Sequence, residues 1–284
     1  MIDNTSRALL DALLARSEEI RTPCGDGEMV WRVWGRDNSE CAPVVLLHGG
    51  FGAWNHWVRN IPIWEKDYQL VAADLPGCGD SASLPRPYDA EDLAKVVSAG
   101  IDLAVPDQQP FDLVTFSFGG VISGLIAHKQ AQRIRSLSLI GSPVLGLTGT
   151  GPANDLVVVR PDLPVDEAAP LHRSNLQKLM VCNPEAADDM ALTIQLENMS
   201  KARLRSRGIA RSMVLANSLR DLPCQLNCIF GDADVTLDPD LASVRAYVED
   251  IHPNVAFHIL PGVGHWAQYE ASAAVNALLP ELID

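Results

Sequence analysis

Ser117 is the residue whose type and setting most clearly indicate chemistry. It lies in the run LVTFSFGG at residues 113–120, where an apolar strand-like segment breaks at the serine and restarts as a helix that opens with two glycines. A serine on such a sharp turn has an exposed hydroxyl, and the unpaired N–H groups of the following helix point at whatever it attacks. The run therefore predicts a nucleophile, with an ordinary tight turn as the plain alternative.

The residues around Ser117 determine how closely the strand and the helix can approach. The usual form of this elbow is Gly-x-Ser-x-Gly, since the positions two before and two after the serine are crowded. Here Gly119 occupies the second glycine position and Thr115 stands in the first. The motif is therefore degenerate, and its weight depends on partners elsewhere in the chain.

One histidine and several aspartates are candidates for the base and the acid that a serine nucleophile needs. His265 lies in the glycine-rich run PGVGHW, and Asp234 follows the predicted strand 226–231. Such partners come in the chain order serine, acid, histidine. Because all three residues would follow the carboxyl ends of parallel strands, we expect them to meet at one sheet edge. Asp232 and Asp238 are alternative acids at this point.

The run VVLLHGGFGAW at residues 44–54 predicts a buried strand followed by a glycine-rich turn. The backbone N–H groups of Gly50 and Phe51 would face the serine, and the N–H of Phe118 would be a further donor. Such donors stabilise the negative oxygen that forms when a serine attacks a carbonyl. The run thus predicts an oxyanion hole, with a simple strand-to-helix turn as the alternative.

Five motifs make the chain similar to enzymes of the α/β-hydrolase fold over nearly its whole length. In chain order they are HGGFG at 48–52, DLPGCGDS at 74–81, FSFGG at 116–120, GDAD at 231–234 and GHWAQYE at 264–270. In that family the acid usually stands three residues after the glycine that closes its strand. The resemblance therefore implies Asp234 as the acid, Asp232 as a turn residue and Asp238 as a helix start.

The last motif particularly resembles hydrolases that cleave carbon-carbon bonds in vinylogous diketones from aromatic ring fission. In those enzymes the tryptophan after the histidine lines the pocket, which implies Trp266 here, and Trp54 is a second candidate for a pocket wall. They usually carry asparagine where this chain has Phe116, and they bring a cap arginine to the substrate carboxylate. The candidates for such a cation are Lys201, Arg203, Arg205, Arg207 and Arg211. Their plain alternative is a solvated helix face.

Alternating strand-like and helix-like segments predict a mostly parallel sheet covered by helices on both faces. The predicted strands are 18–22 and 29–34, which form an early hairpin, then 43–48, 69–73, 111–116, 135–141, 226–231 and 255–260. The predicted core helices are a docking helix at 6–15, then 54–65, 89–104 and 118–130. The expected fold class is α/β, with the α/β-hydrolase fold and a helical cap insert.

The alternation stops between residues 147 and 222. This stretch has no clear strand, and its predicted helices are 176–181, 185–199 and 201–218. We therefore expect a core domain of residues 1–146 and 223–284 and a helical cap, or lid, at 147–222. A cap placed there would cover the nucleophile and supply specificity, whereas the plain alternative is an ornament on the fold.

The composition predicts a globular protein and disfavours a nucleic-acid partner. Of the 284 residues 47% are apolar and 20% are charged, and the net charge of −14 disfavours nucleic acid, which requires clustered cations. The first residues lack a secretion signal, and no apolar run approaches the roughly 20 residues of a membrane helix. We expect a cytoplasmic protein with a small-molecule substrate and no membrane contact, and a homodimer is left open.

The cysteines and the remaining histidines do not indicate a metal site. The six cysteines, at 24, 41, 78, 182, 224 and 228, lack the clustered Cys-x-x-Cys form, which predicts free and mostly buried thiols. His48 is expected to fix the oxyanion turn through hydrogen bonds, and the other histidines to have surface or packing roles. Neither a metal nor a cofactor is required.

The expected reaction is acyl transfer to Ser117, with His265 as base and Asp234 stabilising the imidazolium. A carboxylic ester or lactone of a small, largely apolar substrate is the first expectation, because it requires only the triad and the oxyanion donors. Carbon-carbon hydrolysis of a vinylogous diketone is an alternative. An alternative of another class is a catalytically weak, ligand-binding receptor on the same fold.

Overall fold

A computed structural model describes residues 4–38, 40–105, 108–147, 155–160, 162–237 and 239–283. The strands are β1 Glu18–Cys24, β2 Gly27–Trp34, β3 Val44–Leu47, β4 Leu70–Ala73, β5 Phe111–Phe116, β6 Ile134–Ile140, β7 Gln225–Gly231 and β8 Ala256–Leu260. The core helices are α1 Asn4–Leu14, α2 Ile61–Trp64, α3 Ala90–Ala104, α4 Phe118–Lys129, α9 Leu241–Ile251, α10 Ala267–Glu270 and α11 Ser272–Ile283. The helices between β6 and β7 are α5 Val165–Leu179, α6 Asp189–Lys201, α7 Arg207–Ala210 and α8 Val214–Leu219.

The strands form one sheet in the order β1-β2-β4-β3-β5-β6-β7-β8. β2 pairs antiparallel with β1 and β4, and the pairs from β4 across to β8 are parallel. The hairpin between β1 and β2 turns at Gly25, whose φ of 58° favours glycine. This arrangement confirms the predicted class, a mostly parallel α/β sheet.

Apolar side chains bury both faces of the sheet. Along β3, Val44 and Leu46 lie in the apolar cluster that includes α1 and α11, whereas Val45 and Leu47 lie in the cluster that includes α3 and α4. Successive strand residues point to opposite faces, so an uninterrupted apolar run buries both sides. The central strands are therefore rigid supports for the loops at their carboxyl ends.

The described part of the segment between β6 and β7 contains helices and turns but no strand. The predicted helix at 176–181 begins earlier, at Val165, and the predicted helix at 201–218 is divided into α7 and α8. The amide N–H groups of Arg203 and Leu204 both donate to the carbonyl of Gly77 in the core, which keeps this stretch out of a helix. The helix start expected at Asp238 lies outside the described residues, and α9 is capped by Asp240.

Helix α6 is joined to the core near its carboxyl end by a buried pair of amide side chains. Asn55 Nδ2 donates to Asn198 Oδ1 at 3.0 Å, and Asn198 Nδ2 donates to Asn55 Oδ1 at 2.8 Å. Both side chains are buried. Because an unpaired buried amide is costly, this reciprocal pair fixes the helix above the turn that follows β3.

The amino end of α6 is joined to the core through Asp188, its capping residue. The Tyr269 hydroxyl donates to Asp188 Oδ1 at 2.5 Å, and Arg59 Nη2 donates to Asp188 Oδ2 at 2.6 Å. The Arg59 guanidinium also lies 3.8 Å from the centroid of the Tyr269 ring. At the other end Lys201 pairs with Asp80 at 2.9 Å. The helix is therefore bonded to the core at both of its ends.

Among the described residues, no helix has the length and apolar character needed to cross a membrane.

Candidate functional site

Ser117, His265 and Asp234 meet at the carboxyl ends of β5, β8 and β7. His265 Nε2 lies 2.9 Å from Ser117 Oγ, and His265 Nδ1 lies 2.9 Å from Asp234 Oδ2. The imidazole and the carboxylate are buried, whereas Ser117 is partly exposed. We call these three side chains the Ser117 array. Its hydrogen bonds have the order and the distances of a serine nucleophile, its base and the acid that orients the base.

The backbone of Ser117 has the strained geometry that the elbow motif predicts. Its φ is 49° and its ψ is −112°, a region that residues other than glycine rarely adopt. Ser117 N donates to the Ile140 carbonyl at 2.9 Å, and α4 begins at the next residue. The chain therefore turns sharply at the serine and leaves its hydroxyl outside the sheet.

Gly119, two residues after Ser117, is required because there is no space for a side chain there. The position two residues before Ser117 does not require glycine. A Cβ on Gly119 would lie 2.7 Å from the His48 carbonyl oxygen and 2.8 Å from that of Leu47. Thr115 is accommodated in β5, where its hydroxyl donates to the Ser138 carbonyl at 3.2 Å. The degenerate motif is thus compatible with the elbow.

The loop that carries His265 is held by hydrogen bonds that sequence analysis did not predict. The Glu270 carboxylate accepts from the amides of Gly264, Cys182 and Asn183 at 2.7, 3.1 and 2.6 Å. Trp266 N donates to the Met180 carbonyl at 2.7 Å. These contacts tie the histidine loop to the segment that follows α5.

Thr236 is a further polar residue of the site that sequence analysis missed. Its hydroxyl donates to Asp234 Oδ1 at 2.7 Å and lies 2.9 Å from His265 Nδ1, and its amide donates to Asp234 Oδ1 at 2.8 Å. The spacing Asp-x-Thr, in which the carboxylate bonds to the backbone two residues on, is the signal that could have found it. Asp232 lies apart and accepts from the Gly262 amide at 2.7 Å.

The glycine-rich turn after β3 lies against the elbow. A Cβ on Gly49 would lie 3.2 Å from Ser117 Cβ, and one on Gly50 would lie 3.7 Å from Phe118 Cβ. Phe51 has a φ of 55°. Within the described residues, the amides of Gly50, Phe51 and Phe118 have no hydrogen-bond acceptor. These three N–H groups are thus not engaged within the described fold, and their role as oxyanion donors stays a prediction.

His48 holds this turn in place through hydrogen bonds, as the sequence predicted. Its Nε2 accepts from the Leu75 amide at 2.9 Å, so Nδ1 carries the proton and donates to the Gly49 carbonyl at 2.7 Å. Burial lowers the pKa of His48 to about 4. Asp74 accepts from the amides of Trp54 and Asp80, and burial raises the pKa of its carboxyl to about 6. With its pKa lowered to about 4, the His48 imidazole is neutral at pH 7.

These buried groups predict a pH dependence of stability. His48 resists protonation in the folded protein but not in the unfolded chain, so its effect on the free energy of unfolding depends on pH. The stability that it contributes is complete above pH 6.5 and is lost as the pH falls toward 4. The loss at pH 5 is about 2 kcal/mol, of which protonation of Asp74 restores about 1 kcal/mol. Between pH 7 and pH 5, the free energy of unfolding of His48→Gln should therefore fall by about 2 kcal/mol less than that of wild type, as measured by urea unfolding. His258→Gln, on strand β8, is the control and should follow wild type, and equal losses for both variants would contradict the assignment.

The two tryptophans predicted to line a pocket lie in the core. Trp266 stacks on Tyr269 with ring centroids 4.1 Å apart, and its indole N–H donates to the His56 carbonyl at 3.2 Å. Trp54 lies 5.4 Å from Trp34. Both belong to the apolar cluster on the α1 and α11 face. Both side chains are buried and pack against other aromatic rings, and their role as pocket walls stays a prediction.

The cations of the insert are engaged by the core or exposed. Lys201 pairs with Asp80 and Glu197. Arg203 donates to the Ser81 carbonyl at 2.5 Å. The guanidinium groups of Arg205, Arg207 and Arg211 belong to exposed residues. The described contacts thus include none between these cations and the Ser117 array.

Cysteines and metal ligands take no visible part in the site. All six cysteines are free, with Cys24, Cys78 and Cys228 buried, Cys224 partly buried, and Cys41 and Cys182 exposed. Fewer thiols are therefore buried than the sequence suggested. In the described ranges no group of three or more His, Cys, Asp or Glu side chains could hold a metal ion.

Comparison with known proteins relates the chain to a large group of enzymes. A family model described as the alpha/beta hydrolase family matches residues 44–278. A Pseudomonas putida protein, the dihydrolipoyllysine-residue acetyltransferase component of the acetoin cleaving system, is 32% identical over 241 residues, which cover 82% of this chain and 61% of that protein. The chain thus spans about three fifths of the length of that relative.

A second relative and a solved structure extend the comparison. The 2-hydroxy-6-oxononadienedioate/2-hydroxy-6-oxononatrienedioate hydrolase of Escherichia coli K12 is 27% identical over 258 residues, covering 83% of this chain and 85% of that enzyme. The naproxen esterase of Bacillus subtilis superposes with a TM-score of 0.76 at 16% identity, covering 98% and 97% of the two chains. At that identity the superposition shows a shared fold.

Proposed function

Because the chain belongs to the alpha/beta hydrolase family, we propose that it is a serine hydrolase that cleaves a carboxylic ester of a small, largely apolar substrate. The observation that carries the proposal is the Ser117 array, in which His265 lies 2.9 Å from both the serine hydroxyl and the Asp234 carboxylate. A nucleophile within reach of an oriented base is the arrangement that acyl transfer needs.

The proposed reaction begins with attack of Ser117 Oγ on the ester carbonyl carbon. His265 Nε2 takes the hydroxyl proton, and Asp234 stabilises the imidazolium. The amides of Gly50, Phe51 and Phe118 bind the developing oxyanion. The imidazolium then protonates the leaving alcohol, and an acyl-enzyme remains on Ser117. Water activated by His265 hydrolyses that intermediate and restores the serine.

The helical insert supports the proposal as a cap over the reacting groups. Its helix α6 is fixed above the turn after β3 by the Asn55–Asn198 pair. Ser206, which precedes α7, lies 3.5 Å from the position of a Cβ on Gly50. A cap in this position excludes water and shapes the substrate site, and a lactone would fit the same chemistry as an ester.

A second candidate is hydrolysis of a carbon-carbon bond in a vinylogous diketone. The E. coli relative, whose name describes such a hydrolase, favours it at 27% identity. Phe116, which stands where those enzymes usually carry asparagine, and the described positions of the insert cations support an ester more than an acidic diketone. A catalytically weak receptor is the candidate of another class.

A substrate panel tests the three candidates. The wild-type protein is assayed against p-nitrophenyl esters, lactones and a ring-fission dienol product, and is separately treated with a fluorophosphonate. Ester turnover with covalent labelling of Ser117 supports the proposal, and loss of dienol absorbance without ester turnover favours carbon-carbon cleavage. Stoichiometric binding without product release would favour the receptor.

Thr236 gives a further prediction for the proposed reaction. Thr236→Val removes the hydroxyl that bonds to Asp234 and lies beside His265, so the acid and the base lose a shared partner. We expect kcat for a p-nitrophenyl ester to fall about tenfold, since a hydrogen bond to a charged group contributes about 1.5–3 kcal/mol. Thr236→Ser keeps the hydroxyl and should restore most of the rate. Equal rates for the Val variant and wild type would show that the threonine is only structural.

A further inference from the structure

A second cavity lies between the first turn of α3 and helix α7. Its volume is about 770 Å³, within the range of small-molecule sites. Its apolar lining includes Tyr88, Leu125, Ile209 and Val214, and Arg86 and Arg205 line it as well. We call it the α3–α7 groove. A smaller cavity of about 300 Å³ adjoins it at Arg86 and Tyr88.

Helix α7 separates this groove from the Ser117 array. Ser206 and Ala210, four residues apart and so on one face, are buried, and Ser206 lies beside the turn at Gly50. Arg205, which precedes α7, and Ile209 on α7 line the groove. None of the groove-lining residues belongs to the Ser117 array or to the turn at 48–52.

The acidic side chains at the groove are already engaged. The Asp89 carboxylate accepts from the Asp92 amide at 3.0 Å as the cap of α3, and Glu91 pairs with Lys129 at 3.0 Å. Arg205 has no carboxylate partner within the described residues, and Arg86 makes only a long contact, 3.5 Å, to the Arg203 carbonyl. Arg86 and Arg205 therefore form no ion pair with Asp89 or Glu91, the two carboxylates that also line the groove.

Two of the arginines that form no ion pair within the described residues line this groove, although the chain has a net charge of −14. Most arginines of the chain form an ion pair with a carboxylate, Arg7, Arg133 and Arg245 among them. Within the described ranges, those without such a pair are Arg86, Arg203, Arg205, Arg207, Arg211 and Arg220. All but the first lie in the insert near α7 and α8, and Arg86 and Arg205 are the two of the six that line the groove.

We propose that the α3–α7 groove binds an amphipathic carboxylate, an alkyl chain that ends in a carboxyl group. The chain would cover the apolar lining, and the carboxylate would lie between Arg86 and Arg205, whose planar guanidinium groups suit bidentate contact with it. The proposal does not rest on the proposed function, because none of the groove residues belongs to the Ser117 array.

Calorimetric titration with octanoate tests the site, with 1-octanol as the neutral probe of the same length. Wild type should bind octanoate saturably and at least tenfold more tightly than octanol. The double variant Arg86→Ala/Arg205→Ala should weaken octanoate binding at least tenfold. Arg207→Ala/Arg211→Ala removes the same charge outside the groove lining and should stay within twofold of wild type.

The outcomes separate this site from the catalytic one. Ser117→Ala should bind octanoate as wild type does, whatever its activity. Absence of saturable octanoate binding, equal binding of octanol, or an equal loss in the two double variants would each overturn the proposal. Loss of binding in Ser117→Ala would place octanoate at the Ser117 array and overturn it as well. Melting curves of all variants confirm that each is folded before titration.

Discussion

Ser117→Ala should remove nearly all turnover of a p-nitrophenyl ester, with kcat falling by about four to six orders of magnitude. The variant lacks the atom that forms the acyl-enzyme, and neither His265 nor the oxyanion donors can replace it. The residual rate would come from binding and from polarisation of the carbonyl alone. Steady-state kinetics, together with loss of fluorophosphonate labelling, measure the effect.

The control for this variant is Ser200→Ala, which removes the hydroxyl of an exposed serine on α6 that donates to the Glu197 carbonyl. It should keep the wild-type rate and labelling. Both variants should melt near the wild-type temperature, because neither creates a cavity in the core. Ester turnover near wild type in Ser117→Ala would refute the acyl-enzyme mechanism.

Asp234→Asn should lower kcat by about ten-thousandfold while leaving the fold intact. The carboxylate accepts from His265 Nδ1 at 2.9 Å and so keeps the imidazole proton on that nitrogen. An amide can present its N–H there instead, which moves the proton to Nε2, the atom that must accept from Ser117. The base is then in the wrong tautomer for the reaction.

Asp232→Asn is the matched control, since it makes the same change two residues earlier in the same loop. Asp232 accepts from the Gly262 amide and, within the described residues, makes no hydrogen bond with His265. Its activity should stay within a few fold of wild type. If Asp232→Asn were the slower variant, the acid would have been assigned to the wrong carboxylate.

The strands and the order of the reacting residues could be predicted because their signals are local. The predicted strand 111–116 coincides with β5, and the other parallel strands agree within two residues, because each is an apolar run bounded by turn residues. The topology then brings the loops after β5, β7 and β8 to one edge. The proximity of Ser117, Asp234 and His265 follows from that order.

The insert and the supporting contacts were harder to predict because they depend on distant residues. Helix α5 contains Pro170 and many polar residues, so the sequence pattern did not predict its first turns. The conformation of the stretch before α7 is determined by hydrogen bonds to the Gly77 carbonyl. Glu270 binds amides far away in the chain, so no local pattern marks it. Trp54 and Trp266 are buried, but residue type alone does not distinguish a pocket wall from a core residue, so their place beside a substrate stays a prediction.

The attachment of α6 bears on how such enzymes could be recombined. In a chimera of this core with the insert of another hydrolase, Asn55, Arg59 and Asp80 would each lose the partner that the α6 region provides here. Transplantation would therefore need compensating substitutions on the recipient scaffold.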